Sequence, residues 1–140
     1  RETVFSGDPS ASIQRPAGIP QTGFILEPDP AFYKASLAAA LLQGKAEMDS
    51  PQGYGFSEAA PEDFPGRVFR ILDHGGTSAK EVKALLKMHG IPTANVSHRG
   101  MKIPVQELVK RLGVKEGGDA FLLLTSVGAK HAAYLAERAG

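Results

Sequence analysis

The alternation that begins at residue 67 constrains this chain more than any other feature. "RVFRILD" at 67–73 is rich in β-forming residues. Gly75 and Gly76 break it. Ser78, with Glu81 three residues on, makes a capping box ahead of an apolar stripe at Val82, Leu85 and Leu86. That pattern predicts a helix over 79–89. Lys80, Lys83 and Lys87 fall on its opposite face, because steps of three and four residues keep to one side of a helix. Gly90 and Pro92 stop it. "TANVSH" at 93–98 alternates like a strand. Pro104 opens a second helix whose stripe is Val105, Leu108, Val109 and Leu112, and Gly113 ends it. "AFLLLTS" at 120–126 is a largely apolar run, the pattern of a strand buried on both faces. "VGAK" then turns the chain into "HAAYLAER" at 131–138, the return strand of a hairpin. A β-α-β-α-β-β order points to an α/β (α+β) fold: a compact two-layer sandwich with helices packed on a mixed β-sheet.

The chain upstream of residue 67 has no such rhythm. Five prolines crowd 7–30 (Pro9, Pro16, Pro20, Pro28, Pro30), and dense proline blocks both helix and ladder pairing. Residues 1–23 therefore read as an extended proline-rich arm or linker, mobile over 7–23, with a short strand over "ETVFS" at 2–6. Residues 24–66 read as a connecting segment with one helix. "GFILE" at 23–27 is a candidate short strand. Asp29 suits an N-cap and Pro30 the first helical position, so one helix is expected from 30 to 43, ended by Gly44. Residues 45–66 read as irregular except for a short strand over "YGFSE" at 54–58. Residues 67–140 form the third unit, and 67–138 is expected to fold alone.

Composition excludes several classes. At 42% hydrophobic, the 140 residues can bury a core. There is no cysteine, which rules out disulfides and thiolate metal sites and agrees with a reducing compartment. A cytoplasmic location is therefore expected. The longest apolar run, "ASLAAALL" at 35–42, is too short to span a bilayer. The chain begins at Arg1 rather than Met, and the expectation is a piece of a longer protein. Net charge is +1, but unevenly spread. Residues 1–79 hold six Lys and Arg against ten Asp and Glu; residues 80–140 hold ten against five. A basic second half favours a polyanionic partner.

Catalytic and cofactor motifs are missing. The sequence has no GxxxxGK[ST] phosphate loop and no GxGxxG turn. "DHGGT" at 73–77 lies between strand and helix, where an anion nest can form, but it lacks the spacing of either fingerprint. His74, His89, His98 and His131 form no HxxxH pair, so no metal site is expected. Ser126, His131 and Asp119 have no nucleophile elbow, and no catalytic residue is assigned. What remains is basic: Lys80, Lys83, Lys87, Arg99, Lys102, Lys110 and Arg111. Long cations near helix ends are what phosphate recognition uses. The basic half has only Phe121 and Tyr134 as aromatics, both in expected strands. That favours backbone or shape recognition over base stacking. The seven cations are the candidate RNA-binding residues.

Four pieces in this order, "SAKEVKALLK", the corner at 94–100, "VQELVKRLGVKEGGDAFLLLTSVG" and "YLAER", resemble the THUMP-like domain that closes a family of bacterial class I S-adenosylmethionine-dependent methyltransferase-like proteins. "FILEPDPAFYKASL" at 24–37 is similar to the segment joining the methyltransferase and THUMP-like parts. The likeness covers roughly 24–138. It implies a catalytic domain N-terminal to Arg1, with S-adenosylmethionine held there and no cofactor in this chain. By analogy with THUMP domains proper, it also implies that this domain presents RNA, chiefly tRNA, for modification. The competing reading is a protein–protein interaction or dimerisation module with no nucleic-acid role.

Overall fold

The computed structural model of the protein describes residues 7, 8 and 11–139, so the strand expected at 2–6 lies outside the described residues. One sheet is built from β1 (Phe24–Pro28), β2 (Glu47–Met48), β3 (Gly55–Ser57), β4 (Gly66–Gly75), β5 (Asn95–Arg99), β6 (Ala120–Val127) and β7 (Lys130–Arg138). The helices are α1 (Pro30–Lys34), α2 (Ala38–Leu42), α3 (Ala79–Met88) and α4 (Val105–Leu112). The strands lie in the order β2-β3-β1-β4-β7-β6-β5. All neighbours are antiparallel except β5 and β6, which run parallel. This is the mixed α+β sandwich that the alternation predicts.

Strand alternation assigns each face. Along β6, Leu122 and Leu124 pack with α3 and α4, while Leu123 and Val127 point to the other side. The apolar run is thus a strand buried on both faces, and each of these leucines contributes about 1.5–3 kcal/mol by burial. On β1, Leu26 faces α1 and α2, and its partner Val68 on β4 does the same. Ladder registers carry that face across β7 to Leu135 and Ala133, so all four helices cover one side of the sheet. The other side curls on itself around Ile25, Phe56, Phe69, Leu123 and Tyr134.

Three local expectations change. The single helix over 30–43 is two five-residue helices, interrupted where Ser36 takes a φ of 58°. Serine competes with helix by local hydrogen bonding, and no long apolar stripe resists the break. The break lets Tyr33, Ala38, Ala39 and Leu42 all reach one core. Asp29 is the N-cap, but its side chain caps nothing; its carbonyl accepts from Phe32 N–H at 2.9 Å. The arm is extended yet fastened. Gln14 O accepts from Met48 N–H, and Pro20 O accepts from the Tyr134 hydroxyl at 2.7 Å. Ile19 packs against the concave core. β2 carries no sequence signal, being two residues held by pairing Met48 with Gly55.

Candidate nucleic-acid interface

The helical layer is organised by its caps. Ser78 Oγ accepts from the Glu81 backbone N–H at 3.1 Å, the N-cap half of a capping box, and donates its own proton to the Glu81 carboxylate at 2.9 Å. That carboxylate lies against Gly76, at the junction of β4 and α3. The expected turn at 73–77 is shorter, because Asp73, His74 and Gly75 belong to β4 and pair with β7. α4 ends at Gly113 with φ 65°, the left-handed geometry for which glycine is suited.

Around this scaffold the seven candidate cations separate into four settings. Lys102 and Arg111 line a groove of about 680 Å³ with Ser78, Ala79, Met101 and His131. It lies beside the start of α3, whose positive dipole end favours anions. Arg111 is paired with Glu107 at 2.9 Å, an exposed i,i+4 bridge. Lys83 and Lys87 border a second groove of about 530 Å³ at the far ends of α3 and α4. Lys115, which the sequence reading passed over, joins them there. Lys80 and Lys110 are exposed and line neither groove. None of the five candidate lysines meets a carboxylate among the described residues.

Arg99 stands apart. Its Nε donates to Glu27 Oε2 at 2.9 Å, and its guanidinium lies 3.6 Å from the Tyr33 ring centroid. Arg67 donates to the other Glu27 oxygen at 2.8 Å and lies over Phe69 and Phe121. Glu27 is 7% exposed. β1 and β5 are separated by three strands in the sheet, so this contact records how far the sheet curls. A second link crosses the same gap: the Tyr54 hydroxyl bonds Ser97 Oγ at 3.3 Å. The Tyr33 hydroxyl donates to Gly53 O at 2.8 Å. Burial pushes the Tyr33 and Tyr54 phenols well above the usual tyrosine range, so both stay neutral. Strand alternation held a usable signal here. Ile25 and Glu27 share the concave face, and a carboxylate on a buried face needs a cation. Nothing in the sequence says which one.

The histidines stand in separate settings, with His74 against the Tyr134 ring. His89 Nε2 meets Asp73 Oδ2 at 2.7 Å, and this contact with the His74 backbone N–H holds the Asp73 carboxyl below its usual range. His131 Nδ1 meets Ser126 Oγ at 2.9 Å across the β6–β7 pair, and among the described residues no carboxylate completes a triad. His98 Nδ1 is buried without a hydrogen-bond partner among the described residues. No cluster of three or more metal-ligating residues occurs among the described residues. No helix among them is long and apolar enough to cross a membrane.

Comparison with known proteins gives two findings. The family described as THUMP domain-like matches residues 66–138. The crystal structure of a "putative methyltransferase" from Porphyromonas gingivalis W83 superposes with a TM-score of 0.79 at 27% identity. The match covers 94% of this chain and 32% of that one, so this chain spans about a third of the length of its neighbour. Among curated proteins, none matches.

Proposed function

This chain belongs to the THUMP-like domain family, and on that premise we propose that it presents structured RNA, tRNA foremost, to a class I methyltransferase domain and performs no chemistry itself. The bound RNA would be methylated with S-adenosylmethionine carried by that separate bacterial, cytoplasmic enzyme domain. The sequence carries no GxGxxG turn, and in this proposal the cofactor belongs to the catalytic domain.

The observation that carries the reading is the surplus of exposed lysines on the α3–α4 layer that meet no carboxylate among the described residues. Folding does not require them, and phosphate recognition does. Lys80, Lys102, Lys110 and Arg111 are the proposed phosphate contacts, with Lys83 and Lys87 edging a groove of different character. Arg99 already has its guanidinium on Glu27 and Tyr33, so its part in this reading is to hold the fold and not to contact phosphate. The test is a titration of the full chain against tRNA at two salt concentrations. Each phosphate contact adds about −0.7 to −0.9 to the log–log salt slope. Lys102→Ala with Lys110→Ala should weaken binding whatever the RNA sequence and flatten the slope by roughly one to two units. If the parent chain binds no tRNA at low salt, the interaction-module reading replaces this one.

A further inference from the structure

The groove between the C-terminal ends of α3 and α4 has a chemistry that phosphate contact leaves unused. Its floor is apolar: half-buried Ile91 and exposed Pro92, with the edges of Leu86 and Val114. Its rim is Lys83, Lys87 and Lys115, all exposed. None of the nine lining residues is acidic, and none of the three lysines meets a carboxylate among the described residues. The Lys83 ammonium reaches over the end of α4, standing 3.0 Å from where a Cβ on Gly113 would lie. Compensating the negative end of a helix accounts for one such lysine. Three around an apolar floor are more than the helix ends require.

We propose that this groove docks an acidic amphipathic segment of a partner protein. An apolar side chain would lie on Ile91 and Pro92, and flanking carboxylates would meet Lys83, Lys87 and Lys115. This is the helix-in-groove mode, with charge complementarity selecting the partner. A nucleic-acid backbone fits less well. It gains nothing from the apolar floor. The proposal stands independently of the RNA reading, because the two grooves use different residues.

The experiment is fluorescence anisotropy of the full chain with a labelled amphipathic peptide, Leu and Phe on one face and Glu on the other. Saturable binding is expected. Lys83→Glu with Lys87→Glu should weaken it at least about tenfold, the scale of losing complementary charge pairs. Pro92→Asp, which places a carboxylate on the floor, should do the same while near-ultraviolet circular dichroism stays native. Lys102→Glu, in the other groove, should leave peptide affinity unchanged, and a peptide with Gln for Glu should bind far more weakly. No saturable binding, or equal loss in Lys102→Glu, would overturn the proposal. So would a Lys83→Glu/Lys87→Glu variant that loses tRNA binding and keeps the peptide.

Discussion

The concave seam around Glu27 and the outer helical layer both carry cations, and they hold them under different physical conditions. In the seam, Arg99 is 22% exposed at its side chain and shares one buried carboxylate with Arg67. On the layer, Lys102 is exposed three residues later and touches no carboxylate among the described residues. The same corner therefore sends one cation inward and one outward. Removing the inward cation takes away one of the two partners of a buried carboxylate and empties its place on the Tyr33 ring. Removing the outward one leaves no such gap, because solvent replaces whatever it touched. A cation's worth is set by its surroundings, and stability and binding should respond to opposite members of the set.

The strongest way to break this comparison is to remove one edge of the seam. The fragment 66–138 matches the family but lacks β1, which covers β4 and supplies Glu27. It would expose Phe69, Ile71 and Tyr134 on the concave face. Scanning calorimetry should show no cooperative transition for it, while 11–139 melts as one unit. A cooperative transition in the fragment would instead support the expectation, drawn from the clean rhythm after 67, that this part folds alone.

Glu27→Ala comes next. It leaves Arg67 and Arg99 facing each other beside aromatic rings and should cost about 3–5 kcal/mol in urea unfolding. Arg99→Ala should cost about 2 kcal/mol, less because Arg67 still neutralises Glu27 and Arg99 is partly wet. Arg111→Ala, on the exposed layer, should stay within about 0.5 kcal/mol. If Arg111 and Arg99 cost the same, the seam has no special standing.

A smaller effect concerns pH. The folded-state carboxyl of Asp73 is held low by His89 and by the His74 backbone N–H. Its stabilising contribution is present above the unfolded Asp value of about 4 and fades as pH falls through the folded value. Parent and Asp73→Asn should therefore differ in urea midpoint near neutrality and converge in acid. A gap that persists at low pH would point to packing instead.

Which parts were legible follows the same physics. α3, α4, β6 and β7 announce themselves by period, cap and stop, because local rules dominate there. The helix over 30–43 is misread because the break at Ser36 serves a long-range end, bringing Tyr33 to Arg99 and Gly53. The Glu27–Arg99 contact joins residues 72 apart and leaves no local trace. The two grooves could not be read from helix stripes either. Lys80, Lys83 and Lys87 share a stripe, yet only the last two meet Lys115, which arrives from the loop after α4.

The salt dependence of tRNA binding, compared between Arg99→Ala and Lys102→Ala, tests the division most directly. Both variants remove one positive charge from the same corner. Under conditions where both are folded, Lys102→Ala should flatten the log–log slope by about 0.7–0.9, the value of one phosphate contact. Arg99→Ala should leave the slope unchanged. A flattened slope in Arg99→Ala with a parental slope in Lys102→Ala would contradict the account.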